Sequence, residues 1–141
     1  MKIKYKILNK KSILKYTKWI LEFYDKDRKR PKDIIKSIKN SSFIVIALDG
    51  NKVVWMNQIL TELYYCAFYI NLFVDEEYRN QWIWWKIIDI SNKFVIKKNL
   101  KWCELITNPW KMWLPEFYSK HGFESNEKNW VYMSLNKDTI I

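Results

Sequence analysis

The sequence predicts an α/β domain with one mixed, mainly antiparallel central sheet that carries helices on both faces. Segments with strand and helix patterns alternate in the order β-α-α-β-β-β-α-β-α-β-β, which is typical of this class. Three strands follow one another directly in the middle of the chain, which favours antiparallel hairpins there. No internal repeat or linker interrupts the 141 residues, so we expect a single domain over residues 1–141.

The first forty residues predict a strand followed by two helices. Residues 2–8 alternate in polarity as a half-buried strand does. Ser12 is the expected N-cap of the first helix, because apolar residues recur at helical spacing after it. A polar run ends that helix, and Pro31 suits the first turn of a second helix that runs to about Lys39.

The middle of the chain predicts three consecutive strands. Residues 42–48 and 52–60 flank Asp49-Gly50, a dipeptide that is a strong hairpin signal. Residues 64–74 form a third strand, long and almost wholly apolar. A strand of that composition is expected to be central and covered on both faces.

The rest of the chain predicts a long helix, a strand, a short helix and a closing pair of strands. A charged connection over 75–81 leads into the long helix, which runs from about Trp82 to Lys98 and has one apolar stripe. Gly122 suits the stop of the short helix. The strand is expected at 103–107, the short helix at 115–120 and the closing pair of strands within 123–135.

The positive charge is concentrated at the start of the chain. The net charge is +10, and residues 1–40 hold 14 Lys and Arg against 4 Asp and Glu, so the whole excess lies there. Such a region suits an anionic partner, although a lysine-rich solvated surface is the simpler explanation. Only three residues are arginines, which argues against a dedicated reader of nucleic acid.

Several classes of protein and site are excluded by what the sequence lacks. No run approaches the roughly 18 apolar residues that a membrane span needs, and no signal peptide is recognisable. We therefore expect a cytoplasmic protein with no membrane partner and with Cys66 and Cys103 as reduced thiols. A single histidine, His121, gives no metal-ligand set, so no metal is expected.

Residues 70–88 (INLFVDEEYRNQWIWWKII) carry the candidate chemistry. An apolar strand ends in a short charged turn, and a helix starts directly afterwards. The first N–H groups of such a helix have no partner within it and point beyond the end of the strand. This arrangement predicts a site for a diphosphate group.

Motifs in and after this stretch resemble those of a known family. Leu72, Val74, Tyr78 and Arg79 form the pattern L-x-V-x-x-x-Y-R, Ile-Thr-Asn at 106–108 ends the next strand, and residues 117–123 read F-Y-x-x-x-G-F. Together they resemble the GNAT superfamily of acetyl-CoA-dependent N-acetyltransferases, over about residues 42–135. The resemblance implies transfer of an acetyl group from acetyl-CoA to a primary amine through a ternary complex.

The resemblance also implies which residues bind acetyl-CoA and which one is catalytic. The family's diphosphate motif R/Q-x-x-G-x-G/A falls on Arg79, Asn80, Gln81, Trp82, Ile83 and Trp84. The backbone of Leu72, Phe73 and Val74 would pair with the pantetheine arm as an added strand and hold the thioester oxygen, with Asn108 also on the pantetheine. Tyr118 would protonate the departing thiolate of coenzyme A.

The resemblance leaves the general base, the acceptor and the oligomeric state open. Glu62 and Glu104 are the nearest acidic candidates in sequence for the general base. The simpler interpretation of both is a solvated charge at the end of a strand. The basic first forty residues would suit an anionic acceptor. A homodimer is compatible with the sequence.

Tryptophan stands where the family has glycine. The chain has 9 tryptophans and 2 glycines, against about 7% glycine in an average protein. Both motif glycines are tryptophan, at Trp82 and Trp84; the others at glycine-like positions are Trp55, Trp85, Trp102, Trp110 and Trp113.

Three explanations of these tryptophans stay open. The first is that their codons are UGA and are read as glycine in the source organism. The second is that the chain is a non-catalytic binding module that keeps the fold and has lost the coenzyme. The third is that the tryptophans are genuine and tolerated in the core. A basic protein associated with nucleic acid is a weaker alternative.

Overall fold

The computed structural model describes residues 2–24, 31–79, 82–105 and 113–123. The chain divides into two compact units, Met1–Ile106 and Thr107–Ile141, and each is described by itself. The single domain expected over the whole chain stays a prediction. The closing strands expected within 123–135 lie outside the described residues, except for Phe123.

The described part of the first unit is a five-stranded sheet with three helices. The strands are β1 (Ile3–Leu8), β2 (Phe43–Asp49), β3 (Lys52–Thr61), β4 (Cys66–Val74) and β5 (Trp102–Leu105). The helices are α1 (Lys10–Tyr24), α2 (Pro31–Asn40) and α3 (Ile83–Lys97). The strand order is β1-β2-β3-β4-β5, and only the β4–β5 pair is parallel. The predicted mixed, mainly antiparallel sheet is confirmed.

Helices pack on both faces of this sheet because neighbouring residues of a strand point to opposite sides. Met56 of β3 lies in an apolar cluster with Ile13 and Ile20 of α1 and Ile38 of α2. The next residue, Asn57, donates a hydrogen bond from its side chain to the Ser91 hydroxyl of α3, at 3.0 Å. The apolar cluster therefore joins the sheet to α1 and α2, and α3 covers the other face.

The start of α1 differs from the prediction. Asn9, and not Ser12, caps the helix: its side-chain oxygen accepts from the N–H groups of Lys11 at 3.1 Å and Ser12 at 3.0 Å. The Ser12 hydroxyl oxygen accepts in return from the Asn9 N–H at 2.8 Å. Asn9 and Ser12 can both cap a helix, and the side chain of each accepts a hydrogen bond from the backbone N–H of the other. The helix therefore begins before Ser12.

The position of β4 also needs correction. β3 is the middle strand, and all of residues 53–59 are buried. β4 lies beside it, and Phe68 in its first half is 41% exposed. The expectation that β4 is covered on both faces throughout its length is therefore wrong, because its apolar composition does not by itself place it at the centre.

The two glycines lie where the backbone needs them. Gly50 has φ +58° and forms the β2–β3 turn with Asn51, one residue later than the Asp49-Gly50 pair suggests. In the second unit, α4 (Trp113–Lys120) is followed by Gly122, with φ +85°. A positive φ is strained for residues with a side chain and cheap for glycine. The predicted short helix and its glycine stop are both observed.

Candidate functional site

β4 changes its pairing half-way along its length. Gln58 of β3 pairs with Ile70 and Met56 pairs with Phe73, so β4 has one extra residue between these pairs, a β-bulge over residues 71–72. On its other side, β4 pairs with β5 through Cys66–Tyr69 only. Within the described residues, the rest of β4 therefore presents an open backbone edge. Such an edge can pair with an extended ligand.

A short turn after β4 leads towards α3 and is tied to the β2–β3 hairpin. The turn is a single 3₁₀ turn over Glu76–Tyr78. The Tyr78 hydroxyl donates to a carboxylate oxygen of Asp49 at 2.7 Å, and Lys52 Nζ lies 2.8 Å from Asp75. The motifs in the sequence do not predict these contacts. The signal for them is the antiparallel β3–β4 pair, which brings the hairpin tip beside the acidic residues that follow β4.

The N-terminus of α3 is open to an anion. Trp82 occupies the cap position and makes no side-chain capping bond, and the first turn contains no acidic residue. The start of α3 carries the positive end of the helix dipole, which favours an anion there.

Arg79 lies at the entrance to this helix and forms a weak ion pair. Its guanidinium is 3.0 Å from the carboxylate of Glu76, and both side chains are more than half exposed. Exposed pairs of this kind contribute about 0–1 kcal/mol. Arg79 can therefore exchange Glu76 for a bound phosphate at little cost.

The tryptophans of this region pack on one another. Trp84 lies 6.3 Å from Trp55 and 6.2 Å from Trp85, measured between ring centroids, and Trp82 lies 5.9 Å from Trp85. Trp82 is 78% exposed. Its indole stands at the helix cap, where a diphosphate would bind. The exposed Trp82 indole thus takes up space at the cap of α3 that a glycine would leave open.

Backbone conformation does not require glycine at the tryptophans that the structure describes. Among the described non-glycine residues, only Leu63 and Asn99 have a positive φ. What glycine would provide at position 82 is space for a ligand, and not a different φ.

Tyr118 lies in the second unit, on α4. It is buried, and its ring centroid is 5.1 Å from that of Phe117 and 6.0 Å from that of Phe123. Burial raises the pKa of Tyr118 to about 12. The phenol therefore stays protonated at neutral pH and can act as a proton donor.

Not every predicted site residue falls in the described part of the chain. Leu72 and Val74 are half-buried on β4, and Phe73 is described by its backbone alone. Asn80, Gln81 and Asn108 lie outside the described residues.

Of the two carboxylate candidates for a general base, Glu62 directly follows β3 and Glu104 lies on β5. Glu62 accepts hydrogen bonds from the N–H groups of Tyr65 and, at 2.8 Å, Cys66, and the Cys66 bond in particular lowers the pKa of Glu62. A low pKa makes it a weak base, and its role is to cap the β3–β4 turn. Glu104 is half-buried on β5 opposite Phe68.

The cysteines are not activated nucleophiles. Burial raises the pKa of Cys103 to about 11, and burial together with Glu62 raises that of Cys66. Both stay thiols at neutral pH. No group of three or more metal-ligating side chains occurs among the described residues.

A cavity of about 390 Å³ opens beside the C-terminal end of β4. It is lined by Trp19, Glu22, Phe23, Asn51, Lys52, Val53 and Asp75. Two aromatic rings and two carboxylates therefore face a space that also contains one ammonium group. This lining favours a cationic ligand, because aromatic faces and carboxylates both attract positive charge.

Solved structures of acetyltransferases share this architecture. An aminoglycoside acetyltransferase from an uncultured soil metagenomic sample, in complex with trehalose, matches with a TM-score of 0.69 and 20% identity, over 95% of this chain and 97% of that one. The chain has the GNAT fold.

Two further structures with this fold have coenzyme-derived ligands. AAC(6′)-Iy, in complex with the bisubstrate analogue CoA-S-monomethyl-acetylneamine, matches with a TM-score of 0.69 and 13% identity, over 96% of this chain and 100% of that one. A predicted acetyltransferase from Clostridium acetobutylicum, with acetyl-CoA, matches with a TM-score of 0.67 and 15% identity, over 94% of this chain and 96% of that one.

At these identities the likeness establishes the GNAT fold alone. No protein-family model and no curated protein matches the sequence. No helix in the described ranges is both long and apolar enough to cross a membrane.

Proposed function

We propose that the protein is an N-acetyltransferase that transfers the acetyl group of acetyl-CoA to a primary amine in a ternary complex. The observation that carries this proposal is the open edge of β4, which the chain follows with a fixed turn ending at Tyr78 and, beyond Arg79, with an α3 start that has no side-chain cap. The pantetheine arm pairs with the backbone of Leu72–Val74. The diphosphate binds the loop from Arg79 to Trp84. Acetyltransferase structures with the same fold support the assignment.

The reaction is direct attack of a neutral amine on the thioester carbonyl. As the C–N bond forms, a backbone N–H near the β4 bulge stabilises the developing oxyanion. As the C–S bond breaks, the Tyr118 hydroxyl gives its proton to the sulfur of coenzyme A. The proton lost by the amine goes to water. Asn108, which lies outside the described residues, stays the further pantetheine contact that the resemblance implies.

The acceptor binds in the cavity beside β4. Asp75 lines this cavity and directly follows Val74, the last residue of the strand that carries the pantetheine. Asp75 is already paired with Lys52, so Glu22 is the carboxylate that suits an amino group of an acceptor such as a polyamine or an amino sugar. The anionic acceptor suggested by the basic first forty residues stays the second candidate.

A non-catalytic binding module is the alternative function, and one observation favours it. The exposed indole of Trp82 stands at the cap of α3, where a diphosphate would bind. If this tryptophan is genuine, coenzyme affinity is low and the fold serves another ligand.

The activity is tested by measuring thiol release from acetyl-CoA with spermidine, neamine and glutamate as acceptors. We expect turnover with spermidine or neamine and not with glutamate. Turnover with glutamate alone would favour the anionic acceptor. No turnover with any amine, together with no thermal stabilisation by acetyl-CoA, would contradict the enzymatic function. Salt-sensitive binding of RNA without an effect of coenzyme would support the nucleic-acid alternative.

A further inference from the structure

The turn between β4 and α3 is held by side chains of the β2–β3 hairpin. Lys52, at the tip of this hairpin, lies at the centre of these contacts. Its Nζ is 2.8 Å from Asp75 Oδ2 and 3.4 Å from Glu77 Oε2. It also lies 5.2 Å from the centroid of the Tyr78 ring, within the range of a cation–π contact.

A second tie joins the same turn to the other strand of the hairpin. The Tyr78 hydroxyl donates to Asp49 Oδ2 at 2.7 Å, a short bond to a charged acceptor. This bond raises the pKa of Tyr78, so the hydroxyl keeps its proton and remains a donor. Asp49 ends β2 and Lys52 begins β3, so both strands of the hairpin hold the turn.

The backbone fixes the start of the turn as well. The Asp75 N–H donates to the Val54 carbonyl at 2.9 Å, which continues the β3–β4 pairing by one residue. The Asp75 side chain is only 7% exposed, and it accepts from the Glu77 N–H at 3.2 Å. The turn therefore has a defined position before any ligand binds.

We propose that Asp49, Lys52, Asp75 and Tyr78 form a hairpin latch that positions the turn before Arg79, the first residue of the proposed diphosphate site, with Tyr78 as the positioning residue. This inference rests on the proposed function. Arg79 follows Tyr78 directly, and α3 begins four residues after Arg79, at Ile83. A turn that is already held loses less conformational entropy when Arg79 binds a phosphate, so the latch increases affinity without touching the coenzyme.

The latch should affect only the diphosphate end of the ligand. The proposed pantetheine site is the backbone of Leu72–Val74, which the β3–β4 pairing holds independently of Tyr78. Loss of the latch should therefore weaken coenzyme A and leave pantetheine, which lacks the diphosphate, unaffected. A general loss of structure would weaken both ligands.

The test is a pair of calorimetric titrations, with coenzyme A and with pantetheine, on Tyr78→Phe and Asp49→Ala. We expect each variant to raise the Kd of coenzyme A about three- to tenfold, as for one or two side chains that must be ordered on binding. The Kd of pantetheine should stay unchanged. Tyr65→Phe is the matched control, because Tyr65 lies at the other end of β4 and its hydroxyl accepts only the indole N–H of Trp102, at 2.9 Å, among the contacts described.

The titrations are run on the printed sequence and on the Trp82→Gly/Trp84→Gly background. Any obstruction of the coenzyme site by the two indoles is then distinguished from the effect of the latch variants. If coenzyme A binds neither background, the proposed function fails. If coenzyme A binds and Tyr78→Phe behaves as Tyr65→Phe does, the latch alone is refuted. An equal loss of affinity for both ligands would also refute it, since this would indicate a general structural role.

Discussion

The indoles of Trp55 and Trp84 stack between β3 and α3, with ring centroids 6.3 Å apart and planes inclined by 22°. Both residues stand where the GNAT resemblance implies glycine. Trp55 is 4% exposed, and within the described part of the chain its indole N–H has no hydrogen-bond partner. An unmet buried N–H costs about 1–3 kcal/mol, and an aromatic pair contributes about 0.5–1.5 kcal/mol beyond burial. The favourable contact between the two rings is therefore offset by the buried Trp55 N–H, which lacks a hydrogen bond.

The first prediction concerns the codons of the nine tryptophans. We expect UGA at positions 82 and 84, and UGG at Trp19. Trp19 differs because it lies on α1, outside the stretch that resembles the family; it packs against the apolar cluster and meets the Tyr16 ring edge-on at 5.3 Å. Sequencing the gene, with mass spectrometry of peptides from the native host, checks this. UGG at all nine positions would exclude the decoding explanation.

The second prediction concerns coenzyme affinity. Trp82→Gly with Trp84→Gly should lower the Kd of acetyl-CoA at least about tenfold, because the backbone N–H groups at the cap of α3 become accessible to the diphosphate. The variant should also lose stability, about 1 kcal/mol from the glycine inside α3 and about 0.5–1.5 kcal/mol more from the lost Trp55–Trp84 ring contact. Isothermal titration calorimetry measures the first effect and thermal melting the second.

The matched control for this variant is Trp102→Gly, which removes an exposed indole at the start of β5. It should leave the Kd of acetyl-CoA unchanged. No gain in affinity for the double variant relative to this control would count against the diphosphate assignment.

The third prediction concerns Arg79. Arg79→Ala should weaken coenzyme A about five- to tenfold and reduce the salt dependence of binding, because one charge-assisted contact to phosphate is lost. Glu76→Gln should strengthen binding slightly, since it frees Arg79 from its ion pair. Lys93→Ala is the control, because Lys93 is an exposed cation on α3 that pairs with Asp89 at 3.0 Å. Equal effects of Arg79→Ala and Lys93→Ala would show a general charge effect.

The fourth prediction concerns Tyr118 and pH. Burial raises the pKa of Tyr118 to about 12 in the folded protein, above the value of about 10 in an unfolded chain. The phenol therefore keeps its proton below about pH 10. In this range kcat should rise with pH as the acceptor amine loses its proton, and ionisation of Tyr118 should not lower kcat. Above pH 10 the unfolded chain ionises first, so stability should decline as pH rises through 12.

Tyr118→Phe separates these effects. It should lower kcat about a hundredfold, as for the loss of a general acid, and change the KM for acetyl-CoA little. It should also reduce the decline in stability above pH 10, measured by denaturant unfolding, without removing it, because the pKa values of Tyr69 and Tyr78 are raised as well. An unchanged kcat would show that Tyr118 is not the acid.

Local signals were sufficient to predict most of the first unit. Pro31 fixed the start of α2, and the Asp49-Gly50 pair located the β2–β3 hairpin to within one residue. The start of β4 was predicted two residues early, at residue 64. There the Glu62 carboxylate captures the N–H groups of Tyr65 and Cys66 and extends the turn, and a pattern of apolar residues carries no sign of such a side-chain bond.

The candidate site was less predictable, because its fixed geometry comes from distant residues. Lys52 and Asp75 are far apart in sequence, and only the antiparallel pairing of β3 with β4 brings them within 2.8 Å. The bulge in β4 likewise depends on the registers of two strands. Motif spacing identified which residues follow β4, but not what holds them.

Hydrogen–deuterium exchange with and without coenzyme A tests the central claim most directly. It is done on the Trp82→Gly/Trp84→Gly variant, where the diphosphate site is free of indoles. We predict that coenzyme A slows exchange of the backbone N–H groups in the second half of β4 and in the first turn of α3, and leaves β1 unchanged. Binding without protection at either place, or no binding at all, would contradict the account.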